Sequence, residues 1–292
     1  MRAPGLSINH YLCPPGYGAQ RFAAEIAARG AAGIGMTRAA LAELGGRGCR
    51  QAAADHGLAV TSLNSAGDLL LRDPGLAAAQ TDQNRRLIDA AAEMGAAALV
   101  IVTGGLSGQG FGDDGALRER VLWAPAVAAA LVEDRLAPLV ETAAAAGVRL
   151  AVEPIHPMDV LFKGAVTSIA AARRLSAGVP GLGLMLDAYH SWWDPDLATP
   201  PANVVGLQIC GIAQASAAEK PDRDVLGAGI VDLRPIVRDV LAAAPAAVVE
   251  FEMFDRHRRG RAVADIVAAA VAAWHAMRLH LHGAEGQADA VR

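Results

Sequence analysis

Eight short apolar runs, separated by longer alanine-rich segments, limit the possible folds of this chain more than any other feature. Runs of this length are typical of buried parallel strands, and the segments between them are long enough to form helices. Eight strand–helix repeats predict a parallel sheet that closes on itself, an α/β fold of the (β/α)8 TIM barrel type. The predicted strands are residues 6–9, 33–36, 60–64, 99–102, 150–153, 183–187, 204–208 and 248–252.

The length of 292 residues and the hydrophobic content of 53% allow one large core. A single barrel of this type typically takes about 250 residues. We therefore predict one domain over residues 1–282 and a flexible C-terminal tail over 283–292, where the residues are small and polar. Two long segments after predicted strands, 104–117 and 211–232, are candidate lids. Helices are predicted over residues 82–94, 126–146, 166–177 and 233–244.

The charge pattern and the apolar stretches exclude several classes of partner. The formal net charge is −4, and acidic and basic residues are mixed along the chain, so no basic stripe for a nucleic acid is expected. No signal-peptide pattern is present, and no apolar stretch reaches the ~20 residues that cross a bilayer. Three cysteines are too few and too irregularly spaced for a disulfide framework. These features predict a cytoplasmic protein without nucleic-acid or membrane partners.

Four consecutive predicted strands end in side chains that carry oxygen. Neighbouring parallel strands lie about 4.8 Å apart, so side chains at four successive strand ends can meet at the barrel mouth. Three carboxylates and one amide oxygen suit Mn²⁺ or Mg²⁺, and zinc fits such a set less well. The pattern predicts a divalent metal site formed by Glu153, Asp187, Gln208 and Glu252.

Such an ion would bind a substrate through a carbonyl and the adjacent hydroxyl group. It would then stabilise the enediolate that forms when the carbon between them loses its proton. Two glutamates beside that carbon, Glu153 and Glu252, would act as base and acid. The substrate would be a small polyhydroxylated carbonyl compound.

Two positions of this set have alternative interpretations. Gln208 could instead be a polar side chain that is hydrogen-bonded inside the barrel, because burying an amide costs less than burying a charge. Glu250 and Glu252 face the same side of one strand, so either could be the ligand. The position closer to the mouth, Glu252, is preferred. Asn64, at the end of the third strand, could reach the pocket or serve its local turn.

Four segments together resemble the sugar phosphate isomerase/epimerase family with the xylose-isomerase-like barrel, which includes ketose 3-epimerases and hydroxypyruvate isomerases. They are residues 150–158 (LAVEPIHPM), 183–197 (GLMLDAYHSWWDPDL), 227–233 (GAGIVDL) and 249–254 (VEFEMF). The resemblance implies the same four metal ligands, with Glu153 and Glu252 as the acid/base pair. It further implies substrate contacts from His156, Lys163, His190 and Arg223.

The sequence thus predicts a metal-dependent isomerase or epimerase, and the resemblance is compatible with homo-oligomers. Two alternatives stay open. If the carbon beyond the enediolate carries a hydroxyl group, the same intermediate can expel water, and the protein is then a dehydratase. Otherwise the barrel binds a ligand without turnover, and Gln208 and Gly211 leave this open because the resembling family often has other residues there.

Overall fold

The computed structural model describes residues 4–108, 122–214 and 221–288. The strands are β1 Leu6–Asn9, β2 Gly33–Thr37, β3 Ala59–Gly67, β4 Leu99–Val102, β5 Leu150–Val152, β6 Gly183–Asp187, β7 Val204–Ile209, β8 Gly211–Ala213, β9 Asp222–Asp224 and β10 Val248–Phe251. Eight parallel strands close into a barrel in the order β1-β2-β3-β4-β5-β6-β7-β10, which confirms the predicted fold.

Helices follow the barrel strands and bury their apolar faces against the outside of the sheet. Most of the core side chains form one cluster between these two layers. In the described part of the chain, no helix is long and apolar enough to cross a membrane. The helices are α1 Ala19–Ala28, α2 Arg38–Ala54, α3 Pro74–Met94, α4 Pro125–Ala145, α5 Ile169–Gly178, α6 Ala188–Ser191, α7 Arg234–Ala243 and α8 Val263–Ala288.

Helix α3 begins eight residues before its predicted start. The Asp73 side chain accepts a hydrogen bond from the backbone N–H of Leu76, and Pro74 occupies the first turn, where its missing N–H costs nothing. The Pro and Gly residues before the predicted start at Asp82 are typical of a loop, but here they form the first turn of the helix. The predicted end is confirmed, since Gly95 takes the left-handed conformation that closes the helix.

Strand β3 continues three residues beyond its predicted end at Asn64. The residues Ser65, Ala66 and Gly67 are small and suggest a turn, but Ala66 and Gly67 pair with β4. A Cβ atom on Gly67 would lie 1.8 Å from the carbonyl oxygen of Val102, so this close approach requires glycine.

The segment 211–232, predicted to be an irregular loop, contains the antiparallel strands β8 and β9. Residues 215–220 and most of the predicted lid at 104–117 lie outside the described residues. Helix α8 continues to Ala288, beyond the predicted domain boundary at residue 282, which stays a prediction.

The inner face of the barrel is apolar on one side and polar on the other. A small cluster of Ala98, Val100, Ala151, Met185 and Val205 fills the apolar side. On the polar side, a register shift between β2 and β3 lets two successive residues, Thr61 and Ser62, reach the same buried carboxyl group of Glu250.

We expect the substitution Gly35→Ala to destabilise the protein by about 1–3 kcal/mol, because it overpacks this polar side. A Cβ atom at Gly35 would lie 2.4 Å from Oε2 of Glu250 and 2.8 Å from Nδ2 of Asn9. Both neighbours are fully buried and hydrogen-bonded to each other, so neither can move away freely. Urea unfolding would measure the change, and an unaltered free energy of unfolding would contradict the prediction.

Candidate active site

A cavity of about 320 Å³ opens at the carboxyl end of the barrel strands. Its lining combines carboxyl groups, cationic groups and aromatic rings, which is a composition suited to a polar small molecule. The lining residues are Tyr11, Asn64, Ser65, Val102, Glu153, Asp159, Phe162, Lys163, Tyr189, His190, Arg223, Glu252, Phe254 and Arg256.

The four predicted metal ligands lie where the strand ends place them. Glu153 and Glu252 directly follow β5 and β10, Asp187 ends β6, and Gln208 lies in β7. Glu153 and Glu252 are 6% and 4% exposed and line the cavity, whereas Asp187 and Gln208 are fully buried and are not among its lining residues. Glu252 lines the cavity, whereas Glu250 is not among its lining residues.

A buried guanidinium group links two of the carboxylates. Arg223 is 1% exposed, and its Nη2 donates to Oδ2 of Asp187 and lies 3.1 Å from Oε2 of Glu252. Its Nη1 also donates to the backbone oxygen of Glu252 at 3.1 Å. The rings of Tyr189 and Phe254 lie 4.3 and 5.2 Å from the guanidinium carbon, within the range of cation–π attraction.

The hairpin of β8 and β9 carries Arg223 into the site. Because side chains alternate along a strand, Arg223 points inward while Asp222 and Asp224 point outward. Arg259 donates to Asp222 at 2.9 Å, and Arg261 donates to Asp224 at 2.6 Å. These two ion pairs connect the hairpin that carries Arg223 to the segment that follows β10.

Burial is the largest influence on the carboxyl groups of the site. It raises the pKa of Glu153 to about 7, with the nearby charge of Asp187 acting in the same direction and Lys163 and Arg223 opposing it. Burial also raises the pKa of Glu252 well above its usual range, although Arg223 opposes the shift. Both glutamates are therefore more readily protonated than a carboxyl group in water.

The ring of His190 faces two of these carboxyl groups. Its Nε2 lies 3.6 Å from Oε1 of Glu153 and 3.9 Å from Oδ2 of Asp187. Its Nδ1 accepts the backbone N–H of His156 at 3.1 Å, and a neutral ring must then carry its proton on Nε2. Lys163 Nζ, 3.3 Å from Nε2, cannot donate to that protonated nitrogen. The tautomer makes Nε2 a hydrogen-bond donor rather than a metal ligand.

The donor set suits a divalent metal ion on two observations. Ligand atoms of Glu153 and Asp187 lie within 4.8 Å of each other and of the His190 ring, so the two carboxyl groups are close enough to share one ion. With His190 acting as a donor, oxygen ligands remain, and the buried Oε1 of Gln208 has no hydrogen-bond partner among the described residues. A buried amide oxygen without a partner is costly unless another electropositive group satisfies it.

The remaining predicted residues divide into two groups. Asn64, Lys163, His190 and Arg223 line the cavity. His156 does not, because its imidazole Nδ1 accepts the backbone N–H of Met158 and its ring packs edge-on against Trp193. The contact between His156 and substrate stays a prediction.

Sequence reasoning missed several residues that line the cavity, among them Tyr11, Asp159, Tyr189 and Phe254. Tyr189 and Phe254 lie inside two of the segments that resemble the family. Their position close to the ends of strands could have predicted that they line the cavity. Tyr11 and Phe254 stack with ring centroids 4.7 Å apart, although 243 positions separate them in the sequence, and no local pattern shows this.

The chain belongs to the xylose isomerase-like TIM barrel family, whose model matches residues 23–275. A crystal structure of the protein SMc04130 from Sinorhizobium meliloti 1021 matches with a TM-score of 0.80 and 29% identity over 94% of this chain and 98% of that one. No curated protein matches in sequence.

Two solved structures of lower identity share the fold. An L-ribulose 3-epimerase matches with a TM-score of 0.72 and 19% identity, covering 98% of this chain and 97% of its own. The IOLI protein, whose crystal structure contains a zinc atom, matches with a TM-score of 0.73 and 15% identity, covering 94% and 98%. At these identities the likeness shows the fold alone.

Proposed function

We propose that this protein is a divalent-metal-dependent isomerase or epimerase that acts on a small polyhydroxylated carbonyl compound. The observation that carries the proposal is the pair of buried carboxyl groups of Glu153 and Glu252, which line one cavity and have raised pKa values. A carboxyl group with a pKa near neutrality, which burial gives to Glu153, suits proton transfer to and from carbon. The structural similarity to an L-ribulose 3-epimerase supports a sugar as substrate.

In this mechanism one of the two glutamates takes the proton from the carbon next to the carbonyl group, and the other returns a proton. Delivery to the opposite face of the same carbon gives an epimer, and delivery to the neighbouring carbon gives an isomer. A divalent ion bound by Glu153, Asp187, Gln208 and Glu252 would supply Lewis-acid polarisation of the carbonyl group. Mn²⁺ and Mg²⁺ suit these oxygen ligands, and the zinc in the IOLI structure supports a divalent site in this fold.

The other polar side chains of the cavity orient the substrate. Nε2 of His190 carries a proton and can donate to a substrate oxygen. The guanidinium group of Arg223 lies beside Glu252. Its positive charge would stabilise a substrate oxygen that gains negative charge during proton transfer. Lys163 and Asn64 line the same cavity and add further donors.

The first experiment is the metal content of the purified protein, measured by mass spectrometry, for the wild type and for a Glu153→Gln/Asp187→Asn variant. We expect one equivalent of a divalent ion in the wild type and a loss of that ion in the variant. Keto sugars incubated in D₂O with the wild type should then gain deuterium at the carbon next to the carbonyl. A product lighter by one water would indicate a dehydratase, and neither metal nor exchange would indicate a binding protein.

Metal affinity should depend on pH, because the ligand carboxyl groups hold protons in the metal-free protein. Burial raises the pKa of Glu153 to about 7, so below that pH an incoming ion displaces a proton. The association constant for Mn²⁺ should therefore rise by at least about tenfold per pH unit between about pH 5.5 and pH 7. Isothermal titration calorimetry measures it, and an affinity that is constant over this range would contradict the assigned ligand.

A further inference from the structure

The carboxyl group of Glu250 is fully buried on the inner face of the barrel, and its four hydrogen-bond partners are all uncharged. Oε1 accepts from Nδ2 of Asn9 at 2.8 Å and from Nε2 of Gln208 at 3.0 Å. Oε2 accepts from Oγ1 of Thr61 at 2.8 Å and from Oγ of Ser62 at 2.7 Å. No ion pair among the described residues includes it. A buried carboxylate held only by neutral donors is costly, and the proposed proton transfer does not use it.

Three oxygen atoms surround the amide nitrogen of Gln208. They are Oε1 of Glu250 at 3.0 Å, Oε1 of Glu252 at 3.1 Å and Oδ1 of Asn64 at 3.3 Å. If the amide turned over, its oxygen would face the oxygen atoms of Glu250 and Asn64, and both would lose the donor that Gln208 now provides, so the observed orientation is favoured. In that orientation the nitrogen faces these three oxygen atoms, and Oε1 of Gln208 has no hydrogen bond to any residue that the structure describes.

The orientation of Asn64 depends on the same carboxylate. Its Nδ2 donates to Oγ of Ser62 at 2.7 Å, and Ser62 donates onward to Glu250. The Asn64 oxygen is thereby left to accept from Gln208. Glu250 therefore acts on the amide of Gln208 both directly and through this chain of donors.

We propose that Glu250 is a positioning residue that holds the amide of Gln208 with its carbonyl oxygen available to a metal ion. The inference rests on the proposed function, because it assigns Gln208 as a ligand. Under this inference both interpretations of Gln208 hold for one buried amide. Its nitrogen is hydrogen-bonded inside the barrel, and its oxygen is a metal ligand.

The test compares the affinity for Mn²⁺ of metal-stripped Glu250→Leu, Glu250→Gln and Thr61→Val variants, with thermal unfolding measured for each. Removal of a group that orients a metal ligand typically costs 10- to 100-fold in affinity, and we expect about this loss in Glu250→Leu. Glu250→Gln keeps an acceptor oxygen for Gln208 and should recover part of the affinity. Thr61→Val removes a donor to the other oxygen and should leave the affinity near that of the wild type.

An affinity of Glu250→Leu equal to that of the wild type would overturn the inference. An equal loss in Thr61→Val would also overturn it, because the effect would then be general weakening of the barrel interior. If Glu250→Leu does not fold, the side-chain NH₂ signals of Gln208 in the wild-type NMR spectrum, assigned by their loss in Gln208→Glu, give the second measurement. Slow hydrogen exchange of these protons supports the fixed amide, and exchange as fast as in an exposed glutamine contradicts it.

The same experiment separates this inference from the proposed function. A wild-type protein that binds no Mn²⁺ contradicts the proposed function, whatever the variants do. A wild-type protein that binds Mn²⁺ while Glu250→Leu binds it equally well contradicts only the role of Glu250.

Discussion

The substitution Glu153→Gln should lower turnover by about 10³-fold or more while the protein still folds. General acid–base catalysis typically contributes 10² to 10⁴-fold, and the proposed metal site loses a charged ligand as well.

The variant should fold because glutamine has nearly the same shape as glutamate. The folded protein binds a proton at Glu153 up to about pH 7, whereas an unfolded chain releases it near pH 4.5. Stability from this group is therefore present below about pH 4.5 and lost as the pH rises through 7, so an uncharged glutamine is tolerated above pH 7.

Deuterium incorporation from D₂O into a keto-sugar substrate measures this effect, with circular dichroism as the check on folding. Glu141→Gln, on the exposed face of α4, is the matched control and should leave exchange unchanged. Exchange at the wild-type rate in Glu153→Gln would remove Glu153 from the mechanism.

The substitution Arg223→Met should destabilise the metal-free protein by about 3–5 kcal/mol, the usual cost of removing one partner of a buried ion pair. Asp187 and Glu252 would be left close together without the guanidinium group that they share. The variant lacks a positive charge beside these two carboxyl groups, and a bound cation can supply one. Excess Mn²⁺ should therefore restore part of the lost stability, and it should stabilise the variant more than it stabilises the wild type.

Urea unfolding with and without Mn²⁺ tests both parts of this prediction. Arg234→Met is the matched control, because Arg234 forms an exposed ion pair with Asp232 and exposed pairs contribute little. If Arg223→Met and the control lose the same stability, the buried guanidinium does not have the proposed electrostatic role. Destabilisation without any rescue by Mn²⁺ would argue against an ion beside Asp187.

The sequence supported a prediction of the fold because the barrel has a local signature. Each strand is a short apolar run, and each crossover is long enough for a helix, so eight repeats indicate closure without knowledge of any contact. The errors lay where local chemistry misleads. Pro74 looks like a loop residue yet begins α3, and Gly67 looks like a turn yet pairs with β4 because another backbone approaches it.

The candidate site was predictable only as far as strand ends define it. Glu153, Asp187, Gln208 and Glu252 converge because neighbouring parallel strands place their ends together. The donor role of His190 could not be predicted in the same way. It follows from the hydrogen bond with the backbone of His156, and that contact depends on the conformation of the loop.

The eight-stranded barrel and the set of oxygen side chains at its mouth follow from the amino-acid sequence, because both depend on periodicity and on position along a strand. The charges and hydrogen bonds that these side chains receive come from the tertiary structure. Arg223 enters from a hairpin after β7, and Glu250 orients Gln208 from a strand 42 residues away. Such contacts depend on distances between segments that are remote in the chain, and no local pattern contains those distances.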